Sequence, residues 1–129
     1  MENAKNHILV IEDNEDILMM MEMMLRNQQY RVSKKADGNG VELLIKEIQP
    51  DIILMDMLLS GVDGTIVCKQ IKENPATRHI PIIMVSALTG GRGKSEEAGA
   101  DFFLAKPFEM EDLLATAAAA FGLAQETGG

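Results

Sequence analysis

The sequence predicts an α/β domain, a doubly wound five-stranded parallel sheet in the order 2-1-3-4-5 with helices on both faces. Three observations carry that expectation. Short β-branched runs alternate with longer amphipathic ones along the whole chain. The central runs HILVI, IILMD and PIIMVS are apolar almost throughout, as strands covered on both faces must be. The 129 residues suit one compact domain, and 47% hydrophobic with 25% charged residues excludes a disordered or fibrous chain.

The elements follow in order. His7–Ile11 is a buried strand, and Asn14 can cap a helix over residues 15–28. Residues 30–34 form a weaker second strand whose polar positions suit a sheet edge. A turn at Asp37-Gly38-Asn39-Gly40 leads into a helix with Val41, Leu44, Ile45 and Ile48 on one face, ended by Pro50. Ile52–Asp56 is the third strand, apolar until its last residue, and residues 57–63 are a loop. Gly64–Glu73 is the third helix, presenting Ile66, Val67 and Ile71.

Pro75 and Pro81 bracket a connector, and Ile82–Ser86 is the fourth strand. Residues 88–99 are ambiguous, because Gly90, Gly91 and Gly93 weaken a helix there. Residues 101–105 are the fifth strand, followed by Lys106-Pro107 and a closing helix over 110–121. Residues 125–129 read as a frayed end. Right-handed crossovers on five such units favour the flavodoxin-like arrangement. The expected division is an N-terminal extension at 1–5, the domain at 6–123 and a flexible tail at 124–129.

A net charge of −8 repels phosphate backbones and anionic lipid, so neither nucleic acid nor a membrane surface is an expected partner. Cys68 is alone, which excludes an internal disulfide and zinc spacing and leaves a small packed residue. MENAKNHILV has no secretory-leader pattern, and the apolar stretches near 17–25 and 113–121 fall short of the roughly 20 residues that span a bilayer. A soluble cytoplasmic protein is expected.

In this architecture, sites form outside the carboxyl ends of the strands. Those ends carry Glu12 and Asp13, Asp56, Ser86 and Lys106. Three neighbouring carboxylates repel unless a cation joins them, and all-oxygen ligands suit a hard ion such as Mg2+. A carboxylate beside such an ion can attack phosphorus and form an acyl phosphate. Ser86 and Lys106 would then donate hydrogen bonds and charge to the phosphoryl oxygens. A blander reading exists for each residue: Asp13 or Asn14 can be a helix cap, and Lys106 an ordinary surface lysine.

VIEDNED (10–16), DIILMDMLLSGVDG (51–64), VSA (85–87) and KPF (106–108), in this order and spacing, resemble a CheY-like response-regulator receiver domain of two-component signalling over residues 6–123. The resemblance implies that Asp56 accepts a phosphoryl group from a sensor histidine kinase or histidine phosphotransfer protein. It implies Asp13 and Asp56 as direct ligands of Mg2+ (or Mn2+), Glu12 through water, and the Leu58 carbonyl as a further ligand. Ser86 would move to bond the phosphoryl group, Lys106 would pair with it, and Phe103 would turn inward as the switch aromatic. Lys106-Pro107 would be a cis peptide. Leu58 and Leu88 stand where relatives tune hydrolysis; two apolar side chains there would shield the acyl phosphate from water. The chain would be a stand-alone receiver or one cut from a larger regulator or hybrid kinase, with an unidentified protein target. It would catalyse only its own phosphorylation and dephosphorylation.

Four departures from the family pattern stand out. Glu12 replaces the commoner aspartate. Ser60 stands where proline is usual, which predicts a less rigid loop. The stretch from Ser86 to Lys106 is shorter than usual, with its glycines where the fourth helix should start. Phe103 lacks a hydroxyl, so its inward state must rest on packing; a strand aromatic is equally a core residue. Met19, Met20, Met21, Met23 and Met24 cover more than one face of the first helix, and their surplus is either packing or a docking surface for a kinase or phosphotransfer helix.

The rival functions are weaker. An aspartyl-phosphate hydrolase needs a second acid two residues after the first, where this chain has Leu58. A flavin carrier needs a phosphate loop where EDNED would repel phosphate. A degenerate receiver acting as a phosphorylation-independent interaction module is the alternative, and it sits poorly with retention of all five site residues.

Overall fold

A computed structural model describes residues 6–127. The order is β1 (His7–Ile11), α1 (Glu15–Arg26), β2 (Arg31–Lys35), α2 (Val41–Ile48), β3 (Ile52–Asp56), β4 (Leu58–Leu59), β5 (Val62–Asp63), α3 (Gly64–Glu73), β6 (Ile82–Ser86), α4 (Gly91–Glu97), β7 (Phe102–Ala105) and α5 (Met110–Thr127). The main sheet runs β2-β1-β3-β6-β7 with every pair parallel. This is the expected 2-1-3-4-5 order, its later strands renumbered by the small hairpin β4–β5.

Alternation along the strands builds two cores. Ile8, Val10, Ile52, Leu54, Ile83 and Val85 face α1 and α5. Leu9, Ile11, Ile53, Met55, Ile82 and Met84 face α2, α3 and α4. Every residue of β1, β3 and β6 is buried, which is why these strands carry no polar alternation. β2 lies at the edge and buries only Val32.

The local chemistry sets most boundaries. Asn14 caps α1, its Oδ1 accepting from the Ile17 N–H at 3.0 Å. The helix stops at Arg26, earlier than expected, because Gln29 takes a positive φ of 73° and Tyr30 leaves the strand path to stack on Phe121. In α3 the buried face is Gly64, Val67, Cys68 and Ile71; Ile66, expected on it, is exposed. Burial pushes the Cys68 thiol up to about 12, consistent with a packed and inert residue.

Three further expectations are corrected. Residues 57–63 are not simply a loop but contain the antiparallel pair Leu58↔Asp63 and Leu59↔Val62. A helix does form in the glycine-rich segment, beginning after Gly90, whose φ of 81° makes the turn that an L side chain would strain. Residues 124–127 continue α5 instead of forming a tail, because Ala124 is buried in the core between α5 and the sheet. The expected extension at 1–5 and the last two residues of the tail lie outside the described residues. No helix among the described residues is long and apolar enough to cross a membrane.

Candidate functional site

The parallel register places the carboxyl ends of β1, β3, β6 and β7 on one rim. Asp56 closes β3 opposite Val85, and Ser86 closes β6 opposite Ala105. The backbone just beyond β3 is tightly packed: the Met57 N–H donates to the Val85 carbonyl and the Gly64 N–H to the Met57 carbonyl, both at 2.8 Å. A Cβ on Gly64 would collide with the Asp56 carbonyl, so only glycine lets α3 start this close to the strand end.

Lys106 is the hub. Its Nζ donates to Asp56 Oδ2 at 2.8 Å and to Glu12 Oε1 at 3.1 Å, and its backbone N–H donates to the Ser86 carbonyl at 2.9 Å. Its peptide bond to Pro107 is cis. Glu12 is 1% exposed and Asp56 7%, so this amine neutralises carboxylates that are largely out of water. Burial alone would push Lys106 down, but the hydrogen bonds and charges of Asp56 and Glu12 outweigh it and hold the ammonium above its ordinary range. Burial pushes Glu12 up, with the Asp56 charge adding to it, against the opposing hydrogen bonds from the Asn14 N–H and Lys106.

One carboxylate oxygen from each of Glu12, Asp13 and Asp56 lies within 4.8 Å of the others. Three hard oxygens gathered with a single lysine between them fit a hard divalent cation. The second Asp56 oxygen, Oδ1, accepts from the Leu58 N–H at 3.2 Å, which fixes the carboxylate's plane.

The hydroxyl side of the rim is bonded differently. Ser86 is 3% exposed, and its Oγ accepts from the Leu88 N–H at 2.9 Å. A Cβ on Gly91 would lie 2.9 Å from that Oγ and 3.5 Å from the Phe103 ring, so α4 sits against Ser86 only because it starts with glycine. Phe103 is partly buried, with the Arg92 guanidinium 4.8 Å from its ring centroid. Leu58 and Leu88 are exposed at the rim, at 57% and 40%.

Glu12, Asp13, Asp56 and Lys106 therefore come together directly. Ser86 joins through the Lys106 backbone, and Phe103 lies beyond it across Gly91. Ser60 is a residue the motif reading missed, having marked it only as a source of looseness. Its N–H and Oγ both donate to Asp13 Oδ2, at 3.0 and 2.6 Å. The Ser60 hydroxyl is the main reason Asp13 sits below the ordinary carboxylate range. A groove of about 420 Å³ adjoins the site, lined by Ile17, Met20, Ala87, Lys106, Pro107 and Phe108.

Residues 8–118 match the family model of the response regulator receiver domain. The chain belongs to that family. The receiver is 39% identical over 104 residues to the response regulator PleD of Caulobacter vibrioides, covering 79% of this chain and 23% of PleD. It is 36% identical over 110 residues to the DNA-binding dual master transcriptional regulator RpaA of a Synechocystis strain, covering 84% of this chain and 46% of that protein. The chain thus spans less than half the length of these two curated relatives. Among solved structures, the receiver domain of the sensor histidine kinase PA1611 from Pseudomonas aeruginosa superposes with a TM-score of 0.83 at 35% identity, covering 92% of this chain and 99% of that one; it carries a magnesium ion coordinated in its active-site cleft. The signal receiver domain of a signal transduction histidine kinase from Syntrophus aciditrophicus gives 0.84 at 27% identity, covering 91% and 90%.

Proposed function

We propose that this receiver takes a phosphoryl group onto Asp56 and passes the change to a protein-binding face through Ser86 and Phe103. The observation that carries this is the setting of Asp56, a strand-end carboxylate held between Lys106 and two further acids. Glu12, Asp13 and Asp56, with the Leu58 carbonyl, would hold Mg2+ or Mn2+, which when bound supplies charge neutralisation for the phosphoryl oxygens.

The residues of the chain do the rest. An Asp56 carboxylate oxygen forms the new O–P bond as the P–N bond of a phosphohistidine donor breaks, its electron pair leaving with the imidazole. Lys106 keeps its proton and stays paired with the phosphoryl charge. Ser86 donates its hydroxyl to a phosphoryl oxygen, and the partly buried Phe103 repacks behind it. No external substrate is turned over. Donor and receiver would meet in the cytoplasm, the donor a sensor kinase or histidine phosphotransfer protein.

The groove beside Lys106 suits such a donor. Its lining includes Met20, whereas Met19 and Met23, more exposed at 58% and 65%, lie outside it. Met21 is core and Met24 packs against it, so the methionine surplus reduces to Met20 at the groove and two solvent-facing neighbours.

The test is intact mass after incubation with a small-molecule phosphodonor, with and without Mg2+, on wild type and Asp56→Asn. A single phosphoryl adduct that needs Mg2+ and vanishes in the variant is expected. An adduct that survives Asp56→Asn would overturn the assignment, and no adduct on folded wild type, even from histidine kinases, would favour the phosphorylation-independent module.

A further inference from the structure

Asp13 sits on the short connection between β1 and α1, where nothing in the main sheet fixes its carboxylate. Ser60 does so from 47 residues away, with two donors converging on the same oxygen. Both bonds are charge-assisted, and the 2.6 Å hydroxyl bond has the length usual for a hydroxyl donating to a carboxylate. They end on Oδ2, so Oδ1 is not engaged by Ser60.

The platform beneath Ser60 is itself fixed. Ser60 lies at the tip of the β4–β5 hairpin, followed by Gly61 with a φ of 71° that closes the turn. At the hairpin's end, Asp63 caps α3, its Oδ1 accepting from the Thr65 N–H at 2.9 Å and the Thr65 hydroxyl at 2.6 Å. At its start, Leu58 donates to Asp56. The hairpin is therefore anchored to α3, to Asp56 and, through Ser60, to Asp13.

We propose that Ser60 is a positioning residue for the cation site, holding Asp13 in its ligating pose and tying that pose to the hairpin that carries the Leu58 carbonyl. This rests on the reading of Asp13 as a metal ligand. Partners that orient a ligand typically change metal affinity by about 10–100-fold, and Ser60 fills that role through both its main chain and its side chain. The opposite arrangement, in which the two bonds draw Asp13 away from the cation, predicts the opposite sign.

The experiment is calorimetric titration of the full chain with Mg2+, without any phosphodonor. Ser60→Ala removes the hydroxyl bond and Ser60→Pro removes both donors. The Mg2+ Kd is expected to rise severalfold in Ser60→Ala and by about tenfold in Ser60→Pro. Ser60→Thr, which keeps both donors, should restore it, with melting temperatures held close to wild type throughout. Unchanged or tighter Mg2+ binding in Ser60→Ala overturns the proposal, whether or not Ser60→Pro folds. Asp13→Asn separates the two layers. If it loses Mg2+ while Ser60→Ala does not, only the Ser60 role fails; if it binds like wild type, the ligand reading and the proposal fall together.

Discussion

The two halves of the rim are built to different rules. The acidic half, Glu12, Asp13, Asp56 and the 57–63 hairpin, is cross-bonded by Lys106, the Leu58 N–H and Ser60. The hydroxyl half, Ser86 with α4 and Phe103, is held by the Leu88 N–H on Oγ, the Lys106 N–H on the Ser86 carbonyl, Arg92 over the Phe103 ring and packing against a glycine, with no ion pair among the described residues. Charge accounts for the difference. Carboxylates gathered out of water need cations and donors in fixed places, whereas a hydroxyl and an aromatic ring can change partners at small cost. Under the proposed function, a site made this way would keep its chemistry rigid and leave its signal free to move.

The largest effect should come from removing the hub. Lys106→Met leaves Glu12 and Asp56 facing each other without a cation, and should cost about 2 kcal/mol of stability at neutral pH, below the roughly 3–5 of a fully buried pair because the amine is partly exposed. The sign with pH follows from Glu12. Its folded value lies above the ordinary one, so the fold keeps a proton that the unfolded chain has released, and stability falls as pH rises through that window. Without Lys106 that fall should deepen, and Mg2+ should reverse part of it. Thermal melts across pH, with and without Mg2+, read all three; a variant as stable as wild type at neutral pH without Mg2+ would break the picture of a charge-locked half.

Next in size is the lifetime of the acyl phosphate. Leu58 and Leu88 stand exposed on the two halves of the rim with apolar side chains that cannot orient water. Leu58→Asn with Leu88→Glu should shorten the lifetime of phospho-Asp56 severalfold, and an unchanged decay would remove both residues from the account. A smaller effect is expected at the groove. Met20→Lys should slow transfer from a cognate phosphotransfer protein while leaving transfer from a small phosphodonor alone; equal rates from the protein donor would exclude that groove as its seat.

The smallest change in stability tests the loose half. In Gly91→Ala a helix-propensity gain of less than about 1 kcal/mol, because Gly91 is the first residue of α4, opposes the crowding of Ser86, so net stability should stay within about 1 kcal/mol. Its phosphorylation should nevertheless slow, because the added methyl meets the hydroxyl that has to move. Wild-type rates in this variant would show that α4 does not constrain Ser86.

Much of this was legible in the chain. β3 and β6 begin and end where apolar runs meet Asp, Pro or Ser, β1 is an apolar run between Asn6 and Glu12, and α3 starts at Asp63-Gly64, so these bounds could be read directly. The strand-end rule then named Glu12, Asp13, Asp56, Ser86 and Lys106 before any coordinates. What escaped depends on contacts distant in sequence. Two-residue strands such as β4 and β5 carry no periodicity. α4 forms despite its glycines, and the reason for Gly91, the close approach to Ser86, is a tertiary fact. The end of α5 is fixed by burial of Ala124, which an alanine-rich run does not announce. Ser60 reads as one serine in a turn until Asp13 is brought beside it.

The division between a fixed and a moving half is tested most directly by a crystal structure of the full chain with Mg2+ and beryllofluoride, a stable mimic of the phosphoryl group on Asp56. The expected result is a 57–63 hairpin superposable on the present one, with Ser60 still on Asp13, while Ser86 leaves Leu88 and Phe103 leaves Arg92. A hairpin that rearranges around an unmoved Ser86 and Phe103 would contradict the account.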